Sequence, residues 1–173
     1  AIAKGYASYR AAKLLTDAGV TSANLSLGGN VHVVGTKSDG SNWKVAITDP
    51  NNTSNYAGIL QVQDTAVVTS GGYQRNFKKN GKVYHHILDP ATGFPAQSGL
   101  LSATIISQDD VLADALSTAL FVMGPDKAAA YWQGSKDAFE MVLVTEDHRI
   151  LCSEGIADSF TPTDQYTMEV ISR

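Results

Sequence analysis

The chain is divided into short strand-like runs that end at glycine-containing turns, which restricts it to folds built mainly on antiparallel strands. Asp39-Gly40 and Asn80-Gly81 are two-residue turn sequences of the kind that joins neighbouring antiparallel strands. The runs with strand character are 23–27, 31–34, 43–47, 58–63, 66–69, 74–79, 82–88, 101–107, 139–145, 149–152 and 166–171. Hairpins are expected to pair 31–34 with 43–47, 74–79 with 82–88, and 139–145 with 149–152.

Three further segments have helical spacing of their apolar residues. The first covers residues 4–18 and ends at Gly19, and the second covers 109–123 and ends at Gly124-Pro125. A short third helix is expected over 126–133. On the second helix, one side is expected to carry Leu112, Ala115, Leu116, Ala119, Leu120 and Met123. Because strands outnumber helices and mostly follow tight turns, the predicted fold class is α+β, a mainly antiparallel sheet with a few packed helices. Residues 1–173 are expected to form one domain.

Composition excludes several functional classes. With 173 residues, 43% of them hydrophobic, the chain can bury a full-sized core, and its formal charge is −4. The densest basic run is Lys78-Lys79, too short for a nucleic-acid surface. The single cysteine, Cys152, excludes an internal disulfide. No apolar stretch reaches the roughly 18 residues of a membrane-spanning helix.

Residues 84–95 combine two histidines with a rigid turn. His85 and His86 end a hairpin arm and lead into Asp89-Pro90, and the turn closes at Thr92-Gly93. Histidine is the side chain that gains and loses a proton near neutral pH, so this pair indicates proton handling or ligation. The alternative is a hairpin whose edge carries two imidazoles without a chemical role.

Asp114 and Thr118 lie four residues apart in the second helix and therefore on the same side of it. Asp114 stands between two alanines in an apolar run, where a buried carboxylate needs a partner. A carboxylate and a hydroxyl suit a hard cation such as Mg²⁺. The alternative is a solvent-facing aspartate beside an ordinary helix threonine. Asp109 and Asp110, at the start of the helix, are expected to act as caps.

Glycine-rich segments follow two of the predicted strands, at Gly28-Gly29-Asn30 and Ser70-Gly71-Gly72. They either turn the chain or allow backbone N–H groups to approach a nucleotide. The chain has no dinucleotide fingerprint, P-loop or Gly-x-Ser-x-Gly nucleophile elbow.

Taken together, five segments of the sequence resemble the FAD:protein FMN transferases of the ApbE family in order and spacing. The segments are Ala1-Ile2-Ala3-Lys4-Gly5-Tyr6-Ala7, Leu27-Gly28-Gly29-Asn30, Thr69-Ser70-Gly71, His86-Ile87-Leu88-Asp89-Pro90-Ala91-Thr92-Gly93 and Ala113-Asp114-Ala115-Leu116-Ser117-Thr118. The resemblance covers essentially the whole chain. It implies Mg²⁺-dependent transfer of FMN from FAD to a Ser or Thr hydroxyl of an acceptor protein, with release of AMP.

The resemblance also implies roles for single residues. It assigns the metal to the backbone carbonyl of Ala1 and the side chains of Asp114 and Thr118. It makes His86 the catalytic residue near the pyrophosphate. The remaining positions are expected to contact FAD: Lys4, Asn30, Ser70 and Leu88.

The chain departs from the family pattern at two positions and in length. Ser117 stands where some relatives carry a further Asp, and Asn30 stands where many have Asp. The chain opens without Met, partway through the usual family length, so an upstream portion with further FAD contacts is expected to be missing. The resemblance implies a bacterial envelope location, with membrane association only through an upstream lipoprotein anchor. Two alternatives stay open: an FAD pyrophosphatase that gives FMN and AMP, and a flavin-binding module without turnover.

Overall fold

A computed structural model describes residues 2–173 as an α+β fold, as the sequence predicts. The helices are α1 (Ala3–Asp17), α2 (Asp110–Met123) and α3 (Pro125–Gly134), with a 3₁₀ helix at Glu154–Ser159. The strands are β1 (Ala23–Leu27), β2 (Asn30–Val34), β3 (Trp43–Thr48), β4 (Tyr56–Val62), β5 (Thr65–Gly71), β6 (Asn76–Lys79), β7 (Lys82–His85), β8 (Leu100–Ser107), β9 (Glu140–Thr145), β10 (Arg149–Ser153), β11 (Phe160–Pro162) and β12 (Thr167–Ile171).

The strands form three sheets. The largest has the order β1-β2-β5-β8-β9-β10-β12, the second has the order β11-β4-β3, and β6 pairs with β7 alone. Neighbours in the large sheet are antiparallel except β10 and β12, which run parallel. None of the helices within residues 2–173 is both long and apolar enough to span a bilayer.

Both faces of the large sheet are covered, because alternate residues of a strand point to opposite faces. On one face Val68, Ile105 and Leu143 pack with the buried side of α2 and with Trp132 of α3. On the other face the residues between them pack against the second sheet. That second core includes Val67, Ile106, Val142, Val144, Leu60 and Phe160. The large sheet is therefore the middle of three layers, with the α-helices on one side and the second sheet and the 3₁₀ helix on the other.

Two of the three predicted hairpins are confirmed. Asn80-Gly81 joins β6 to β7, and both residues have the positive φ that such a turn requires (52° and 76°). β9 pairs with β10 as predicted.

The hairpin predicted between 31–34 and 43–47 is wrong. β2 lies inside the large sheet between β1 and β5, and β3 pairs with β4 in the second sheet. Both edges of β2 are already used by these neighbours, so β3 buries its one apolar side, Val45 and Ile47, in the other layer.

The buried side of α2 differs from the predicted apolar side. Ala115 and Met123 are exposed, whereas Asp110, Asp114 and Ser117 are buried. The orientation of α2 about its own axis follows from the packing of α1 across it. The buried residues of α1 are Gly5, Ser8 and Ala12, which are small enough to let the two helices approach closely. The helix therefore directs a polar stripe into the protein.

Candidate active site

A layer of polar side chains lies between the large sheet and helices α1 and α2. Asn30 and His32 of β2 pair across the sheet with Val68 and Ala66 of β5. These positions, together with Ser70, share the face that the helices cover. The layer thus contains polar groups from strands that are distant in sequence from α2.

Asp114 is the carboxylate at the centre of this layer. Only 5% of its surface is exposed, so it is not the solvent-facing aspartate of the alternative interpretation. Its Oδ2 accepts a hydrogen bond from the backbone N–H of Gly5 at 2.8 Å. The ion pairs found among residues 2–173 give Asp114 no lysine, arginine or histidine. A buried carboxylate without a cationic side chain fits a site for a bound cation.

Three hydroxyl groups meet one turn further along α2, two of them from the helix and one from β5. Ser70 Oγ lies 3.1 Å from Thr118 Oγ1 and 2.9 Å from Ser117 Oγ. Ser117 also donates a hydrogen bond to the carbonyl of Asp114 at 3.1 Å. Carboxylate and hydroxyl oxygens are hard donors of the kind that Mg²⁺ accepts. The donor set next to Asp114 therefore fits this ion.

Lys4 and Asn30 meet at the other end of the layer. The Lys4 ammonium donates to Asn30 Oδ1 at 2.9 Å and to the carbonyl of Gly28 at 3.1 Å. Gly28 and Gly29 form the turn from β1 to β2, and their positive φ angles of 56° and 97° favour glycine. Asn30 is fully buried, and its Nδ2 finds no partner within the described part of the chain. That amide is a free donor beside a lysine, an arrangement suited to an anionic ligand.

The predicted metal set stays a prediction. Asp114 and Thr118 lie one turn apart on α2, and Ala1 lies outside the described residues. In the segment 2–173, no group of three or more His, Cys, Asp or Glu side chains gathers as a metal site. The predicted set contains one such side chain, and its other donors are a hydroxyl and a backbone carbonyl.

His86 and Leu88 lie in the segment that follows β7. Both side chains are exposed, whereas Ile87 between them is in the helix-side core. Their extended backbone is held by hydrogen bonds from His86 N–H to the Arg75 carbonyl and from Ala96 N–H to the Ile87 carbonyl. No hydrogen bond found within residues 2–173 joins the His86 side chain to the Asp114 layer. The structure thus groups five predicted residues in one layer, Lys4, Asn30, Ser70, Asp114 and Thr118, and it leaves His86 and Leu88 exposed after β7.

The other histidine of the pair, His85, points inward. Its Nε2 lies 3.0 Å from the Ala96 carbonyl, and its ring meets the edge of Phe121. His85 lines a cavity of about 760 Å³ under the β6–β7 hairpin. Tyr73 also lines this cavity, and its burial raises its pKa. A second cavity, of about 420 Å³, lies against Tyr84 and Phe94.

Sequence reasoning missed the contact between Asp110 and His32. Asp110 is 1% exposed, and both of its oxygens lie within 3.0 Å of His32 Nδ1. Asp109 is the cap of α2, accepting from the N–H groups of Val111 and Leu112, so the capping prediction holds for Asp109 alone. Two patterns in the sequence could have indicated this contact. His32 lies two residues after Asn30 and so shares its side of the strand, and Asp110 lies one helical turn before Asp114 and so shares its side of the helix.

Comparison with known proteins gives a consistent result. The model of the ApbE family matches residues 1–143. The chain is 38% identical to the FAD:protein FMN transferase of Treponema pallidum over 91% of the chain and 46% of that protein. It is 36% identical to one from Klebsiella pneumoniae over 95% of the chain and 50% of that protein. The chain spans about half the length of the curated relatives it matches.

Solved structures resemble the fold closely. The ApbE protein of Thermotoga maritima superimposes with a TM-score of 0.82 at 37% identity, over 91% of this chain and 51% of that one. The apo form of the Pseudomonas stutzeri flavinyl transferase ApbE gives a TM-score of 0.70 at 32% identity, over 94% of this chain and 47% of that one.

Proposed function

This chain belongs to the ApbE family, and from that premise we propose that it takes part in Mg²⁺-dependent transfer of FMN from FAD to a protein. The acceptor is a Ser or Thr hydroxyl, and AMP is released. The observation that carries the proposal is Asp114, a buried carboxylate to which residues 2–173 offer no cationic partner, one helical turn before Thr118. The names of the matched relatives supply the substrate and the reaction.

In this proposal Asp114, Thr118 and the backbone carbonyl of Ala1 would hold the metal. A bound Mg²⁺ would supply positive charge near the pyrophosphate oxygens. Ser117 provides a hydroxyl where some relatives have a second acid, so the site has one carboxylate. Ser70 keeps the Thr118 hydroxyl in a fixed position through their 3.1 Å contact.

Four residues are assigned to FAD. The Lys4 ammonium has three N–H groups and uses two of them on Gly28 and Asn30, which leaves one for a phosphate oxygen. The unpaired Asn30 amide is a second donor of the same kind. Ser70 lies beside the proposed metal ligand Thr118, and the exposed Leu88 offers an apolar surface to the flavin.

The reaction exchanges one phosphorus–oxygen bond for another. The acceptor hydroxyl oxygen bonds to the flavin-side phosphorus, and the bond from that phosphorus to the bridging pyrophosphate oxygen breaks, so that AMP leaves. The hydroxyl proton passes to His86 as general base, a contribution of about 10²–10⁴ in rate. His86 is exposed after β7, where an acceptor protein can reach it.

The test uses the intact protein with FAD, MgCl₂ and a candidate acceptor protein, read by mass spectrometry of the acceptor. A covalent FMN adduct together with released AMP supports the proposal. Free FMN and AMP without an adduct would instead show an FAD pyrophosphatase. No AMP above background would indicate a flavin-binding module.

Asp114→Ala provides the matched test of the metal site. It should abolish most Mg²⁺-dependent turnover, because it removes the single carboxylate from the predicted ligand set. The control is Asp126→Asn, an exposed acid in the first turn of α3. Equal rates and equal Mg²⁺ dependence in the two variants would reject the assignment of Asp114.

An envelope location belongs to the same proposal and is supported by the family resemblance. Fractionation of cells that produce the complete protein, followed by immunoblotting, tests it. Recovery in the cytoplasmic fraction alone would contradict it.

A further inference from the structure

We propose that the backbone N–H of Gly5 restricts Asp114 to binding metal through one oxygen and so makes the site select Mg²⁺ over Ca²⁺. This inference rests on the metal site of the proposed function and adds a specificity-determining residue to it. Gly5 acts through Asp114 and is a positioning residue.

The first observation is the hydrogen bond itself. Gly5 lies in the first turn of α1, where backbone N–H groups have no partner within the helix. Its N–H is directed across to α2 and donates to Asp114 Oδ2 at 2.8 Å, in a buried contact between residues 109 positions apart. No other hydrogen bond within residues 2–173 involves the carboxylate of Asp114. One oxygen is therefore fixed by the protein backbone, and Oδ1 remains for a ligand.

The second observation is that only glycine permits this contact. A Cβ at position 5 would lie 2.4 Å from the Asp110 carbonyl oxygen and 2.8 Å from Asp114 Cβ. These atoms belong to α2 and cannot move aside without moving the helix. Any larger residue must therefore push α1 away from α2, which lengthens the bond from the position-5 amide to Asp114.

The consequence for metal choice follows from coordination chemistry. Mg²⁺ demands octahedral geometry at short distances and binds a carboxylate through one oxygen, whereas Ca²⁺ accepts longer bonds and often takes both oxygens of a carboxylate. A carboxylate whose second oxygen is already engaged by an amide favours the one-oxygen mode. Release of Oδ2 would restore the two-oxygen mode that benefits Ca²⁺.

The experiment measures metal binding without FAD, by calorimetric titration of the intact protein with MgCl₂ and separately with CaCl₂. In Gly5→Ala the ratio of Mg²⁺ to Ca²⁺ affinity should fall at least about tenfold, since a hydrogen bond to a charged group is worth roughly that factor or more. A ratio within about twofold of the wild-type value would overturn the inference.

Two control variants separate this effect from general damage. Gly134→Ala, near the end of α3, places a methyl group where no atom lies within 4 Å, and it should leave the ratio unchanged. Ala12→Leu overpacks the same face of α1 two turns away from Gly5, and it should lower stability while keeping the ratio. A reduced ratio in Ala12→Leu equal to that of Gly5→Ala would assign the effect to loosened helices and overturn the inference.

A measurement on the unchanged protein covers the case in which Gly5→Ala does not fold. Hydrogen exchange of the Gly5 amide, followed by NMR with and without MgCl₂, should show an amide that stays protected when the metal binds. Faster exchange on adding Mg²⁺ would mean that Asp114 leaves Gly5 to bind the ion, which contradicts the inference. Asp114→Ala separates failure of this inference from failure of the proposed function. Unchanged metal binding in that variant would reject the proposed metal site as well.

Discussion

Removal of the His32 imidazole should destabilise the protein more than removal of both His32 and Asp110. In the wild type, Asp110 Oδ1 and Oδ2 lie 3.0 and 2.9 Å from His32 Nδ1, and the Asp110 side chain is 1% exposed. His32→Leu leaves this carboxylate buried without its side-chain partner. The double variant His32→Leu/Asp110→Ala removes the carboxylate too.

The size of the effect follows from burial. Leaving a buried hydrogen-bonding group without its partner costs about 1–3 kcal/mol, and more where that group is charged. A value near the top of that range applies here, because the Asp110 side chain is 1% exposed, while the first turn of α2 partly stabilises a negative charge on it. We expect His32→Leu to lower the free energy of unfolding by about 3 kcal/mol, and the Tm by about 6–12 °C for a chain of this length.

The assay is urea denaturation at pH 7 of the wild type, both single variants and the double variant, analysed as a double-mutant cycle. The double variant should be more stable than His32→Leu, with a coupling energy of at least about 1.5 kcal/mol. Additive effects, within about 0.5 kcal/mol, would refute the reasoning, because they would show that the two side chains do not stabilise each other in the folded protein.

Two further predictions concern groups whose pKa the fold raises. Burial, together with the hydrogen bond to Asp49, raises the pKa of Tyr166 to about 12, whereas an unfolded tyrosine ionises near pH 10. The free energy of unfolding should therefore fall as pH rises from about 10 to 12, and it should fall less steeply in Tyr166→Phe. Urea denaturation across that pH range measures both slopes. Equal slopes in the two proteins would contradict the prediction. Burial, with a smaller contribution from the charge of Glu140, raises the pKa of Cys152 to about 12. A thiol reagent at pH 8 should therefore label the protein only after denaturation. Rapid labelling of the folded protein would contradict this prediction.

Features set by neighbouring residues were predictable from the sequence. The Asn80-Gly81 turn, the Asp109 cap and the end of α2 at Gly124 depend on local backbone conformation, and each appears where expected. The pairing of Asp114 with Thr118 on one side of α2 follows from helical spacing alone. Family motifs added the grouping of Lys4, Asn30 and Ser70 with that helix, which no local pattern indicates.

Features set by distant packing were not predictable in this way. β3 has the same alternation whether it pairs with β2 or β4, and the choice depends on which edges are free. The side of α2 that is buried depends on the small residues of α1, so hydrophobicity alone placed Ala115 inside and left Asp110 as a cap. The contact from Gly5 to Asp114 joins two residues 109 positions apart in sequence, so it could be found only from the atomic geometry.

The two faces of β5 have a practical consequence for protein engineering. Ser70 faces the helices, while Val67 on the same strand faces the three-stranded sheet. Residues in the layer formed by β3, β4 and β11 can therefore be redesigned for thermal stability without changing the groups assigned to metal and flavin. The large sheet separates that layer from the polar groups beneath the helices.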